Sequence, residues 1–224
     1  MPSQSLPSRS SPSPSLTSPS TESSVALLLL AAGGSTRMGC PKQLLDYHGR
    51  PLLRHSVEQA VGSRCHPIIV VLGSDADACA AVLHGLPPAV ATAINEDWMQ
   101  GMGSSIRVGL AAMQERAPEA RALVIALSDQ PLITSAFLDR LVRVHLEQDA
   151  SMVAASYDDQ PGVPALFARS QFSRLAALDV HTGAKALLQG AGSELITIPA
   201  PHAAIDVDTP EDYARLLRAP HAES

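Results

Sequence analysis

The sequence predicts an α/β fold, three-layered, doubly wound and Rossmann-like, around a mostly parallel mixed sheet. Three observations carry that expectation. Apolar runs without alternation recur along the chain, as expected where helices cover both faces of a sheet. Segments with apolar residues at helical spacing separate those runs. A glycine-rich loop follows the first run directly. Strand and helix taking turns builds βαβ units, and such sheets bind ligands at the carboxyl ends of their strands.

Residues 1–24 contain eleven Ser and five Pro without apolar periodicity. Such a composition cannot bury enough surface to offset ordering entropy, so a disordered tail is expected there. One domain of ordinary size is expected over 25–218, with a short tail at 219–224. Val25 to Leu30 reads as the first buried strand. The stretch Val25 to Ala32 imitates a signal-peptide core, but the residues before it carry one Arg and one Glu and no net positive charge. Its eight apolar residues also cannot span a bilayer.

Pro51 stands where a helix can start, and Leu52, Leu53, Val57, Ala60 and Val61 continue it at helical spacing. Pro67 to Gly73 is a second apolar strand, and Asp75 to Leu83 reads as a helix capped by Ser74. Val90 to Ile94 is a weaker strand, Ser104 to Met113 an amphipathic helix, and Ala122 to Leu127 another buried strand. Near the end, Thr209 caps a helix begun by Pro210, with Glu211 and Asp212 suiting its positive end.

The residues just past the strands carry the chemistry. Leu30-Ala31-Ala32-Gly33-Gly34-Ser35-Thr36-Arg37-Met38-Gly39 runs from a strand into a loop whose glycines let the backbone N–H groups converge on an anion. Arg37 and Lys42 add positive charge. A carboxylate, Asp129, follows the strand ending at Leu127, and Asp206 and Asp208 stand two apart, so that an extended backbone points both the same way. An anion loop with carboxylates nearby is the donor set of metal-assisted phosphate chemistry, because bare carboxylates would repel a polyphosphate unless a cation such as Mg²⁺ lies between. The plainer readings are structural. Asp129 suits a cap for a helix after Pro131, and Asp206 or Asp208 a cap through the turn at Thr209.

Composition narrows the function classes. A net charge of −6 without a Lys/Arg cluster, with three Phe, three Tyr and one Trp, excludes binding to long nucleic acid. Cys40, Cys65 and Cys79 have no paired or metal-like spacing and read as reduced thiols in a cytoplasmic protein. His55, His66, His84, His145 and His181 are scattered without ligand spacing, and Cys40 reads as a small loop residue. Trp98 suits either a stacking platform or an anchor for its loop.

With these motifs in place, the chain resembles the nucleotidyltransferases that activate molybdenum cofactor, and among them the cytidylyl-transferring members. The resemblance covers nearly all of Val25 to Leu217 and rests on the glycine loop with Lys42, on Asn95 to Leu110, Ser128 to Pro131, Gly162 to Phe167 and Asp206 to Tyr213. It implies transfer of CMP from CTP to molybdopterin-bound molybdenum with release of pyrophosphate and Mg²⁺ as cofactor, and a client molybdoenzyme as partner. It implies nucleotide binding by Leu30, Ala31, Ala32, Gly33, Gly34, Ser35, Thr36, Arg37, Lys42, Asn95, Gly103, Ser104, Ser105 and Asp129. Arg37, Lys42 and Asp129 are the implied catalytic residues, and Asp129 with Asp208 the implied metal ligands, Asp206 standing in reserve. Guanine-using relatives tend to carry Gly-Gly where this chain has Ala31-Ala32, which favours CTP.

The chain departs from that pattern twice. Val180 and His181 stand where relatives show Gly-Asp before Gly183-Ala184-Lys185, with Asp179 as a displaced carboxylate, and Gly162-Val163-Pro164 lacks a His before its proline. Three other functions compete. A nicotinamide-dependent oxidoreductase fits the sheet, and some relatives carry that label, yet no Gly-x-Gly-x-x-Gly follows Leu30 and no acid occupies Arg50-Pro51 for the ribose. A non-catalytic chaperone for molybdenum cofactor is motivated by Val180 and His181. A sugar-phosphate nucleotidyltransferase has a similar loop but carries longer additions than this chain accommodates.

Overall fold

The computed structural model describes residues 24–218. The expected tails at 1–24 and 219–224 lie outside the described residues, apart from Ser24.

The first strand, β1 (Val25–Ala31), is buried along its whole length, since both of its faces are covered. A short 3₁₀ turn at Lys42–Leu44 and a two-residue hairpin, β2 (Asp46–Tyr47) and β3 (Arg50–Pro51), lead into α1 (Leu52–Val61). Pro51 therefore stands just before the helix and not inside it. Next come β4 (Ile68–Leu72), α2 (Ala76–Ala81), β5 (Val90–Ile94), α3 (Met102–Arg116) and β6 (Ala122–Leu127). The helix after β4 is shorter than the sequence predicts, and Ser74 does not cap it. Asp75, in the left-handed region at φ 54°, is the residue before the helix, and the Ser74 hydroxyl donates to its carboxylate instead.

The chain continues through α4 (Ser135–Gln148), β7 (Met152–Tyr157), β8 (Gln160–Ala168), α5 (Phe172–Ala176), α6 (Lys185–Gln189), β9 (Leu195–Pro199) and α7 (Pro210–Leu216). Thr134 caps α4 by accepting from the Phe137 N–H, so Asp129 has no capping role there. Thr209 and Asp212 form a reciprocal capping box on α7, with Pro210 in its first turn, which is the start expected from the sequence.

Among the described residues the main sheet has seven strands in the order β5-β4-β1-β6-β8-β7-β9. Of these only β8 runs against its neighbours β6 and β7, while β9 lies parallel to β7. The fold is thus the mixed, mostly parallel α/β sheet that the sequence predicts.

Alternate residues of β1 serve two cores. Leu27 and Leu29 pack with Leu53 and Val57 of α1 and Leu138 and Leu141 of α4 on one face. Ala26 and Leu28 pack with Ile106 and Leu110 of α3 and Phe172 and Leu175 of α5 on the other. Gly109 brings α3 close: a Cβ there would lie 2.7 Å from Val71 and 3.0 Å from Leu28. A smaller cluster of Met38, Tyr47, Leu52, Val207 and Leu216 seats α7 against the hairpin. Among the described residues no helix is long and apolar enough to cross a membrane.

The chain leaves β1 for β4 and β5 on one side and returns to β6 on the other, which makes the exit of β1 a topological switch point. Pairing of Ala31 with Leu72 and of Leu30 with Leu127 sets the exits of β4, β1 and β6 side by side. That is the place where sheets of this kind leave a crevice for a ligand.

Candidate active site

A cavity of about 500 Å³ opens at this switch point. Its floor is the end of β1 and the start of the glycine loop, from Leu30 to Gly34, with Thr36, Arg37, Lys42 and Gln43. The exit of β6 gives Leu127, Ser128 and Asp129, and the segment before α7 gives Asp206 and Asp208. Trp98, Met99, Gly101, Met102 and Ser105 close the other side.

The third acidic segment does not follow its strand directly, because a 3₁₀ turn at Pro201–Ala204 separates it from β9. It reaches the site through a backbone hydrogen bond, the Val207 N–H donating to the Asp129 carbonyl at 3.0 Å. Val207 is buried below, so Asp206 and Asp208 on either side both face the cavity, as their spacing predicts. The turn carrying Asp129 is tied to α1 by two side chains. The Ser56 hydroxyl donates to the Ser128 carbonyl at 2.9 Å, and His55 Nε2 lies 2.9 Å from the Pro131 carbonyl.

Lys42 is the electrostatic centre of this wall. Its Nζ donates to Asp129 Oδ2 at 2.5 Å and to Asp208 Oδ1 at 2.8 Å, and Arg37 donates to the other oxygen of Asp208 at 2.6 Å. Burial works against the Lys42 ammonium, but the Asp129 and Asp208 carboxylates outweigh it and hold its pKa above the ordinary value. Burial likewise disfavours the Asp208 carboxylate, and the Lys42 and Arg37 cations overcome this and hold its pKa low. Asp206 goes the other way: burial, then the neighbouring Asp129 and Asp208 charges, push its carboxyl up.

The sequence expectation names Asp129 and Asp208 as metal ligands, with Asp206 in reserve. The three carboxylates line one cavity, but among the described residues no three His, Cys, Asp or Glu side chains stand where they could ligate one ion. The Lys42 ammonium bridges Asp129 and Asp208 and supplies the charge balance. Asp129 Oδ1 is nevertheless buried without a hydrogen-bond partner among the described residues. An acceptor oxygen in that state, with a second carboxylate nearby, suits a hard cation.

The glycine loop is shaped from inside. Gln43, 2% exposed, donates through its amide to the Ala31 and Gly33 carbonyls at 3.1 and 2.9 Å and accepts from the Ser35 hydroxyl. Ser35 adopts a positive φ of 50°, and its carbonyl accepts from the N–H groups of Met38 and Gly39, which closes the turn. Sequence reasoning passed over Gln43. Its only signal was a neutral amide beside Lys42, and its partners are backbone carbonyls that the sequence does not bring into view.

Several expected nucleotide contacts stand behind the lining. Ser35 faces Gln43. Asn95, Ser104 and Ser105 are buried, and the Asn95 amide donates to both hydroxyls at 2.8 and 2.9 Å. Of these three only Ser105 reaches the cavity. Gly103 has no room for a side chain, since a Cβ would overlap the Asp179 carbonyl oxygen, and its N–H donates to the Val180 carbonyl at 3.0 Å. The departure at Val180 and His181 is thereby placed at the start of α3. Asp179 is exposed there, and its Oδ1 accepts from the His181 N–H at 2.8 Å. Cys40 is exposed near the loop, whereas Cys65 and Cys79 are core residues whose thiols burial pushes up to about 12 and about 11.

Fold and site together define an α/β protein whose switch-point crevice is lined by two cationic and three acidic side chains. Residues 27–196 match the MobA-like NTP transferase domain, and the chain belongs to that family. By family it is therefore an NTP-transferase-type domain. Among curated relatives it is 36% identical over 137 residues to the nicotine blue oxidoreductase of Paenarthrobacter nicotinovorans, a match covering 61% of this chain and 64% of that protein. It is 32% identical over 141 residues to the bifunctional protein GlmU of Cutibacterium acnes, covering 61% of this chain and 33% of GlmU. The chain thus spans less than two thirds of the length of either curated relative. Among solved structures, Rv0371c of Mycobacterium tuberculosis H37Rv superposes with a TM-score of 0.70 at 30% identity, covering 88% of this chain and 100% of that one. The same mycobacterial protein in complex with manganese superposes with a TM-score of 0.68 at 29% identity, with the same coverage.

Proposed function

We propose that the chain transfers CMP from CTP to the terminal phosphate of molybdopterin-bound molybdenum, with Mg²⁺ as the cation, so that a client molybdenum hydroxylase can be matured. The observation that carries this reading is Lys42 between Asp129 and Asp208 beside the glycine loop. With a divalent cation balancing the carboxylates, the two basic side chains are free to pair with phosphate oxygens. The reaction class fits these groups. The acceptor phosphate oxygen attacks the α-phosphorus, a P–O bond forms, the bond to the β-phosphate oxygen breaks, and pyrophosphate leaves with its electron pair.

An anionic acceptor needs no strong general base, so the protein has chiefly to align two phosphates and offset growing charge. On this reading the backbone of Ala32 to Thr36 cradles the triphosphate. Arg37 and Lys42 then trade their carboxylate partners for phosphate oxygens. Asp129, with its unpartnered Oδ1, and Asp208 hold the divalent cation, with Asp206 in reserve. When bound, the cation neutralises phosphate charge and orients the leaving pyrophosphate. The manganese complex of the mycobacterial relative supports a divalent ion. Ala31 and Ala32 support cytosine over guanine.

The test is pyrophosphate release from each of the four nucleoside triphosphates, incubated separately with Mg²⁺ and molybdenum-loaded molybdopterin. CTP is expected to give the largest signal, and silence with all four sinks the proposal. The name of the P. nicotinovorans relative favours one competing reading, hydride transfer. Oxidation of NADPH without pyrophosphate release would replace the transferase reading by that one.

A further inference from the structure

We infer that Trp98 is a positioning residue for the glycine loop: its side chain, with the Cβ against Gly73 and the outer indole edge against Gly34, sets the shape of the backbone that receives the triphosphate. The inference rests on the nucleotide reading for its ligand, and on packing for its mechanism.

The glycines around the loop are glycine for different reasons. A Cβ on Gly33 would meet nothing within 4 Å, and neither would one on Gly39, whose φ of 75° is its own reason for being glycine. Gly34 differs from both. Its φ is one that other residues adopt, yet a Cβ there would lie 2.8 Å from the indole atoms Cη2 and Cζ3 of Trp98. A Cβ on Gly73, at the exit of β4, would lie 2.6 Å from the Trp98 Cβ and 2.6 Å from the Ala32 carbonyl oxygen. The Trp98 side chain therefore runs from the exit of β4 to the loop after β1, with its outer ring edge occupying the space a side chain on Gly34 would need.

Trp98 is held firmly from its own side. It opens a 3₁₀ turn in which the Gln100 N–H donates to the Asp97 carbonyl at 2.9 Å and the Gly101 N–H to the Trp98 carbonyl at 3.1 Å. The Asp97 N–H donates to Asn95 Oδ1 at 3.1 Å, and the Asn95 amide is fastened to Ser104 and Ser105 at the start of α3. The loop it abuts contains two adjacent glycines, which have the most conformational freedom to lose on ordering. A rigid lateral stop reduces the freedom that the loop surrenders when it closes on a triphosphate, and that reduction is affinity. Trp98 is the sole Trp of the chain, it is half-buried, and it lines the cavity.

Two measurements test this on the full-length protein. The first is hydrogen exchange at residues 33–39 without ligand. The second is the Kd for CTP with Mg²⁺ by equilibrium dialysis. Trp98→Ala is expected to speed exchange at 33–39 and to weaken CTP by about tenfold each, with Trp98→Phe, which lacks the ring edge at Gly34, giving a smaller change of the same sign in both. Gly34→Ala is expected to weaken CTP by about tenfold when Trp98 is present, but by less than about threefold once Trp98→Ala has opened the space. Unchanged exchange at 33–39 in Trp98→Ala, or strictly additive losses in the double variant, overturns the inference. If Trp98→Ala does not fold, the pair Trp98→Phe and Gly34→Ala reads the same coupling, because phenylalanine lacks the outer ring edge that abuts Gly34. Should the unmodified protein bind no nucleoside triphosphate, the proposed function fails, while the exchange measurement still decides the role of Trp98.

Discussion

The two walls of the cavity are built on different principles. The charged wall gathers Arg37, Lys42, Asp129 and Asp208 from segments up to 171 positions apart, and holds them by ion pairs. The neutral wall, from Asn95 to Ser105, closes on itself within one turn and the first residues of α3, through buried amide and hydroxyl groups. Ion pairs at the rim of a crevice can be exchanged for pairs with a charged ligand. A buried amide network has no such alternative, since every bond broken leaves an unsatisfied group that costs about 1–3 kcal/mol. The first wall is therefore suited to take part in a reaction, and the second to hold the shape in which it happens.

The largest expected effect comes from the centre of the charged wall. Lys42→Met is expected to lower kcat/KM for pyrophosphate release by roughly 10²–10³-fold, the range seen when one donor to a developing anion is removed. It also leaves Asp129 unpaired at a site where its side chain is 17% exposed, costing about 1–3 kcal/mol of stability. Lys42→Met with Asp129→Asn is expected to regain most of that stability by denaturant titration and none of the activity. A double variant that recovers turnover would mean that the ion pair is scaffolding and that the comparison of the walls is drawn in the wrong place.

A change in the neutral wall should show the opposite signature. Asn95→Ala removes the donor to Ser104 and Ser105 and the acceptor for the Asp97 N–H. The expected result is a thermal midpoint lower by about 2–8 °C. Activity at a permissive temperature should fall by less than about tenfold, because no group facing the phosphates is lost. An activity loss matching that of Lys42→Met, with an unmoved midpoint, would show that Asn95 meets the ligand itself.

The same division governs what could be read from the sequence. The half of the sheet made of β5, β4, β1 and β6 was legible, because each central strand is an apolar run that only a sheet covered on both faces explains. The other half was not. β8 contains Pro161, Gly162 and Pro164, residues that argue against a strand, and its register with β7 shifts between Ala154 and Ala155. In the site, charge made Arg37, Lys42, Asp129 and Asp208 conspicuous at strand exits. Their pairing with one another was not legible: Lys42 bridges the Asp129 and Asp208 carboxylates through contacts spanning 87 and 166 positions. Gln43 and Gln130 escaped notice because neutral amides look alike wherever they occur. Each donates to backbone carbonyls, Gln130 to those of Val163 and Ala203, and only the fold supplies those partners.

The smallest expected effect is one of pH, and it separates the walls without removing any group from the cavity. His55 Nε2 lies against the Pro131 carbonyl, behind the turn that carries Asp129. Burial lowers its pKa below the ordinary 6.5. As pH falls, the unfolded chain takes up this proton before the folded one does. The stability that neutral His55 contributes is thus complete above pH 6.5 and is lost as the pH drops through 6.5 towards the folded value. Asn95, Ser104 and Ser105 do not titrate in this range. Between about pH 7.5 and 5.5, hydrogen exchange corrected for its intrinsic rate should rise at residues 128–134 and stay level at 95–105. The thermal midpoint of His55→Gln should also fall less over that interval than that of the unmodified protein. Equal rises in both segments would mean that the two walls loosen as one unit, and that their separate construction has no energetic consequence.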